Sequence, residues 1–196
     1  VSAPPTLRTR HLLLRPFTPA DAVAVHRAVG ERDVAAMTAS IPHPYPDGAA
    51  LAWIEAQPAA FARGEAVILA ITTAADGVVG AIGLQIEAAH AKAELGYWIG
   101  KQHWGRGFAT EAARAALGHG FGALHLERIH ARVMAGNRAS ARVLAKLGFT
   151  REGVLRRELF RFGAFVDCEV WSLLREEHAA RGDAPGDASE ASESCE

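Results

Sequence analysis

At 196 residues the chain has the length of one domain or two very small ones, and folding could bury about 70% of its extended surface in a core that needs no staples. Apolar residues make up 49% and charged residues 22%, which excludes a wholly disordered or collagen-like chain. The 21 basic and 22 acidic side chains sum to −1, so no global basic field is available to hold nucleic acid.

Residues 1–15 contain no signal-peptide core, because Pro4, Pro5 and several arginine and histidine side chains interrupt it. Residues 11–14 read as a first strand, ended by Pro16. In Thr18-Pro19-Ala20-Asp21 the threonine caps a helix, the proline suits its first position, and an acid stands three residues past the cap. That helix is expected to bury Val23, Val25 and Val29 and to close at Gly30. Pro42, Pro44 and Pro46 make 38–48 a loop. A second helix is expected from Asp47, presenting Leu51, Ile54 and Phe61, with a kink at Pro58.

From Ala66 the period changes. Residues 66–84 are almost wholly apolar, but Asp76-Gly77 interrupts them between two β-branched runs, which is a hairpin signal and not a membrane span. Strands are expected at 66–73, 78–87 and 92–100, then a glycine turn and a helix over 109–121. Residues 129–134 read as a strand. Asn137 opens a further helix whose inward face is Ser140, Val143, Leu144 and Leu147, with Gly148 as its left-handed cap. Two last strands, near 150–160 and 166–174, turn at Gly163. The domain is expected to span 7–176. The small and acidic residues of 177–196 form a tail that cannot bury enough apolar area to order itself. Cys168 and Cys195 make no disulfide framework, which fits a reducing, cytoplasmic setting. His119, His125 and His130 lack ligand spacing and no cysteine pair joins them, so no metal is expected.

The most informative stretch runs from Glu94 through Gly96-Tyr97-Trp98-Ile99 and Gln102 to Gly105-Arg106-Gly107-Phe108-Ala109-Thr110. A strand enters a turn with two glycines, and the turn opens an amphipathic helix. Backbone amides at such a turn have no helical partners, and the helix dipole adds partial positive charge. Gly105 and Gly107 let the backbone approach an anion, most naturally a pyrophosphate. No Gly-Lys-Ser/Thr follows, so the turn is not a Walker loop. Thr110 replaces the third glycine of the dinucleotide pattern.

These motifs, in order with Leu12-Leu14-Arg15-Pro16, Asp21, Gly80-x-Ile82-Gly83, Thr110-Glu111-Ala112, Asn137-x-x-Ser140, Leu147-Gly148-Phe149, Glu152-Gly153 and Trp171-Ser172-Leu173-Leu174, resemble the GNAT superfamily of acetyl-CoA-dependent N-acetyltransferases. The chain looks most similar to the branch of the RimJ and RimL ribosomal-protein N-terminal acetyltransferases. The resemblance implies an α/β (α+β) GNAT fold, with a mixed central sheet of about seven strands and about four helices. It also implies a splay between the strands at 92–100 and 128–134, with the third and fourth helices on either side. By this resemblance acetyl-CoA is the co-substrate and the acceptor is a primary amine, of a protein N-terminus or of a small molecule. A non-catalytic acyl-CoA sensor is the alternative of another class.

The implied cofactor-binding residues are Tyr97, Trp98, Ile99, Gln102, Gly105, Arg106, Gly107, Phe108, Ala109, Thr110, Asn137 and Ser140. Many family members carry a proton-donating tyrosine where Leu144 stands here, whereas the RimL-like branch has a serine where Ser140 stands. Ser140 is therefore the candidate proton donor to the departing sulfur. Glu94, on the same strand face as Trp98, is a candidate base for the acceptor's ammonium. The RimL-type glutamate of the penultimate strand aligns with Leu159. Glu158 stands one place away, an offset that turns a side chain to the opposite face of a regular strand. The sequence leaves the assembly state open, a homodimer included.

Overall fold

The computed structural model describes residues 3–182. It contains one eight-stranded sheet in the order β1-β2-β3-β4-β5-β6-β8-β7: β1 (Leu7–Arg8), β2 (Leu13–Arg15), β3 (Ala66–Thr73), β4 (Gly77–Glu87), β5 (Lys92–Ile99), β6 (Arg128–Met134), β7 (Thr150–Arg161) and β8 (Ala164–Leu174). Every neighbouring pair is antiparallel except β5–β6, which is parallel and joined by the helix α4 (Phe108–Gly122). The other helices are α1 (Ala22–Gly30), α2 (Arg32–Ala36), α3 (Ala49–Ala62), α5 (Arg138–Lys146) and α6 (Arg175–Ala180). No helix among the described residues is long and apolar enough to cross a membrane.

The two faces of the sheet carry different cores, as the alternation along β5 requires. Leu95 and Ile99 join the larger core with Phe108, Ala112, Leu117 and Phe121 of α4 and Leu144 of α5. Trp98, on the opposite face, joins a smaller cluster of Val25, Val29, Ala50 and Ile54 from α1 and α3. Helices α4 and α5 thus share one core and touch each other, instead of standing on either side of the sheet.

The start of α1 is held by a small ion-pair cluster. The Asp21 carboxylate accepts from Arg15 at 2.8 and 2.9 Å and from the Thr18 amide at 2.8 Å, and the residue is 8% exposed. The Arg15 guanidinium, above all, holds the Asp21 carboxyl below its ordinary range, with the Thr18 amide adding to the effect.

Several expectations are corrected. The strand expected at 11–14 is the shorter β2 at 13–15, and a further short strand, β1, precedes it at 7–8. Val23 is 79% exposed, because 3.6-residue spacing puts Ala22, Val25 and Val29 on one stripe and Val23 about 100° from Ala22. Leu51 is likewise exposed while Ile54 is buried. The second long helix starts at Ala49, not Asp47, and runs through Pro58. The short α2, between α1 and the proline loop, is an element that the sequence pattern does not signal. The sheet has eight strands and the described residues six α-helices, not seven and four. The domain edge expected at 176 falls inside α6, whose His178 is buried against Phe121. Within the tail, 183–196 lies outside the described residues.

Candidate active site

Pairing between β5 and β6 ends at Glu94–His130, after which the two strands diverge. From Leu95 onward β5 is paired only with β4, so the other edge of Gly96–Ile99 faces an open slot. The slot leads to the glycine turn. Gly105 and Gly107 adopt φ of 76° and 81°, the left-handed region that glycine enters without strain, and a Cβ at either would meet nothing within 4 Å. Gly107 caps α4, and the first intrahelical bond runs from the Glu111 amide to the Gly107 carbonyl at 3.1 Å. The amides of Phe108, Ala109 and Thr110 precede it and point out of the helix end.

A cleft of about 500 Å³ joins these features. Of the twelve sequence-predicted cofactor residues, Tyr97, Trp98, Ile99, Gly105, Gly107, Phe108, Ala109, Thr110, Asn137 and Ser140 line it. Gln102 and Arg106 do not. The Gln102 amide meets the His103 ring at 3.1 Å. Arg106 turns toward Asp76 at 3.4 Å and lies over the Phe108 ring at 4.7 Å. The cleft also includes Arg138, Arg142 and Lys146, three cations on one face of α5. Their i, i+4, i+8 spacing is visible in the sequence and marks a basic wall opposite the helix end. Open amides, a glycine cradle and this wall together fit a nucleotide with several phosphates. Among the described residues, no group of three His, Cys, Asp or Glu is arranged to hold a metal ion.

Asn137 caps α5: its Oδ1 accepts from the Ser140 amide at 3.1 Å, and its Nδ2 donates to the Met37 carbonyl at 3.3 Å. The Trp104 indole donates to the Ile99 carbonyl at 2.7 Å and pins the glycine turn to the end of β5.

A second hollow of about 460 Å³ lies on the α1–α3 side of the splay, between Tyr45, Trp53 and Trp98 at one end and Glu94, Arg132 and Cys168 at the other. Glu94 and Glu158 converge through Arg132. The guanidinium forks onto both Glu94 oxygens at 3.0 Å and reaches Glu158 with its remaining nitrogen at 3.1 Å. Glu158 gets there because β7 bulges: Leu155 pairs with Cys168 but Leu159 with Val166, so two extra residues leave the regular ladder. The two extra residues keep the face alternation, so Leu159 lines the hollow and Glu158 meets the site by way of Arg132. Arg132, the link between the acids, gives no motif signal. His130 Nε2 lies 3.9 Å from Glu94, and burial lowers the imidazole's pKa below its ordinary value, favouring its neutral form.

The two hollows share Met37, Thr38, Tyr97, Trp98, Asn137 and Ser140. At that seam the Tyr97 hydroxyl lies 2.8 Å from Ser140 Oγ. Burial pushes the Tyr97 phenol up, against a smaller opposing pull from Ser140.

The family model for the acetyltransferase (GNAT) domain matches residues 11–150. The chain belongs to the GNAT acetyltransferase family. It is 40% identical over 105 residues to the uncharacterized N-acetyltransferase p20 of Bacillus licheniformis, covering 53% of this chain and 59% of that protein. It is 30% identical over 103 residues to the spermidine N(1)-acetyltransferase of Escherichia coli strain K12, covering 53% and 55%. These matches span less than two thirds of the relatives' own length. Among solved structures, spermidine N-acetyltransferase from Vibrio cholerae in complex with CoA and spermine superposes with a TM-score of 0.76. It is 24% identical, and the match covers 87% of this chain and 99% of that one, a likeness of fold. The GNAT fold is thereby established for the described residues.

Proposed function

We propose that the chain is an N-acetyltransferase that moves an acetyl group from acetyl-CoA to a primary amine by direct attack in a ternary complex. This reading rests on the seam: a cleft with phosphate-binding character and a hollow lined by the Glu94 carboxylate meet where Tyr97 and Ser140 touch. The amides at 105–110 hold the pyrophosphate, and Arg138, Arg142 and Lys146 supply charge for the remaining phosphate. The edge of Gly96–Ile99 that β6 leaves open, with its Ile99 carbonyl held by Trp104, takes the pantetheine amides as an added strand. A backbone N–H there donates to the carbonyl oxygen as it gains negative charge, a contact worth roughly 3 kcal/mol.

Glu94 faces the acceptor hollow, where it takes the ammonium proton directly or through water. Glu94→Gln should lower kcat about tenfold with the KM for acetyl-CoA within about twofold. A wild-type kcat removes Glu94 from that role.

Within this reading the acceptor is a protein N-terminal amine, in keeping with the RimJ/RimL-like motif order and the serine at 140. A small polyamine is the second reading, favoured by two carboxylates that share one arginine beside the hollow and by the relative named as a spermidine N(1)-acetyltransferase. We place the reaction in the cytoplasm, where acetyl-CoA is available and Cys168 stays a free thiol. Mass spectrometry of peptides and polyamines incubated with the chain and acetyl-CoA, alongside titration of released thiol, tests the proposal. A mass gain of one acetyl group with matching thiol supports it. Cofactor binding without thiol release from any acceptor favours the sensor instead.

A further inference from the structure

Tyr97 sits where the two hollows join, yet the family resemblance implies only a cofactor-binding role along its strand edge. Its ring packs against the larger core, and its hydroxyl alone reaches the seam, 2.8 Å from Ser140 Oγ. Ser140 has a single hydroxyl hydrogen, and its amide is already committed to the Asn137 cap. The direction of that hydrogen therefore depends on what else Oγ bonds. If Oγ donates to Tyr97, it has nothing to offer a leaving group. If Oγ accepts from Tyr97, its own hydrogen is free to point into the seam.

We infer that Tyr97 is a positioning residue for the transfer: its hydroxyl donates to Ser140 Oγ and aims the serine's hydrogen at the departing sulfur. The inference rests on the acetyltransferase reading above. Burial supports this direction, because a phenol in a desolvated setting keeps its proton and remains a donor. In the step, the amine nitrogen bonds to the thioester carbon, and the carbon–sulfur bond then breaks with its electron pair going to sulfur. The attacking nitrogen loses one proton to Ser140 Oγ, Ser140 passes one proton to sulfur, and the products are the amide and the free thiol. Ser140 and Tyr97 end as they began, so no buried phenolate or alkoxide accumulates.

The contact is also a tie between elements, since it links β5 to α5 across 43 residues of chain. Phenylalanine at 97 keeps the ring in the core and removes only the hydroxyl, which separates the two roles. Tyr97→Phe should lower kcat about tenfold, the equivalent of one well-placed hydrogen bond, with the KM for acetyl-CoA within about twofold. Ser140→Ala should lower kcat about 100-fold. Because Tyr97 acts through Ser140, the double variant should be no slower than Ser140→Ala.

A readout independent of turnover is the carbon-13 signal of the phenolic carbon at neutral pH. The chain has two tyrosines, so Tyr45→Phe assigns the pair. Ser140→Ala should move the Tyr97 signal and leave that of Tyr45 in place. An unmoved Tyr97 signal, a wild-type kcat in Tyr97→Phe, or a double variant slower by the product of the single losses would each overturn the inference and leave the transferase reading standing. A wild-type kcat in Ser140→Ala would overturn it together with the serine's role. If no acceptor is acetylated at all, the transferase reading fails, and the inference falls with it even where the carbon-13 shift reports the contact.

Discussion

Replacing Gly107 by valine should raise the KM for acetyl-CoA about 100-fold while the folded core survives. Gly107 holds φ at 81° and caps α4. A β-branched residue in that region is strained by roughly 1–3 kcal/mol, and the turn can relax only by rotating the peptides that follow. Those peptides carry the amides of Phe108 and Ala109, the proposed partners of the pyrophosphate. A Cβ at 107 would meet no protein atom within 4 Å, so crowding inside the chain is not the cause of the loss. Gly118 provides the contrast. It lies inside α4, where a Cβ would also meet nothing within 4 Å but φ is not positive, and Gly118→Ala should leave KM unchanged and stabilise by roughly 0.5–1 kcal/mol. Isothermal titration with CoA, together with steady-state kinetics, checks both. Equal affinities in Gly107→Val and wild type would remove the glycine turn from cofactor binding.

Asp21→Asn should cost about 3 kcal/mol of stability at pH 7. The carboxylate is 8% exposed and takes two bonds from Arg15 and one from the Thr18 amide. An amide cannot accept all three, and the Arg15 charge is left facing a neutral partner in a half-buried site. For a domain of this size the melting temperature should fall by about 6–12 °C. The pH dependence has a defined sign. Arg15, above all, lowers the folded-state pKa of Asp21, so the stabilisation is complete above the ordinary value of 3.8 and is lost as pH falls through the lower folded value. Glu152, bonded to Arg128 and to the Ser172 hydroxyl, acts the same way between 4.5 and about 2. It is more exposed, so its share is smaller. Thermal melts from pH 7 to pH 2 should show Asp21→Asn converging on wild type at the acid end. Parallel curves would contradict the assignment.

Local patterns carry most of the fold. The Asp76-Gly77 hairpin with its two apolar strand runs, the alternation along β5, and the 3.6-residue stripe of α4 are all local in sequence, where pattern decides structure. The glycine turn is legible for the same reason: consecutive residues make the amide nest. What the sequence hides comes from contacts between residues distant along the chain. Ser140 is legible on its helix, but its partner Tyr97 lies 43 residues away. Glu94 and Glu158 both stand out in the sequence, yet Arg132 becomes their link only when β6 packs between β5 and β8. At the β7 bulge, one residue before Glu158, the Arg157 amide bonds the Asp167 carboxylate across the hairpin, a contact ten residues apart in sequence. Val23 misleads because valines at alternate positions suggest a stripe that helical geometry does not produce.

A crystal structure of the chain with CoA tests the central claim most directly. The diphosphate oxygens should lie about 3 Å from amide nitrogens within 105–110, with the pantetheine arm running along Gly96–Ile99 toward Ser140. A nucleotide bound elsewhere, with those amides closed off by the protein's own side chains, would contradict it.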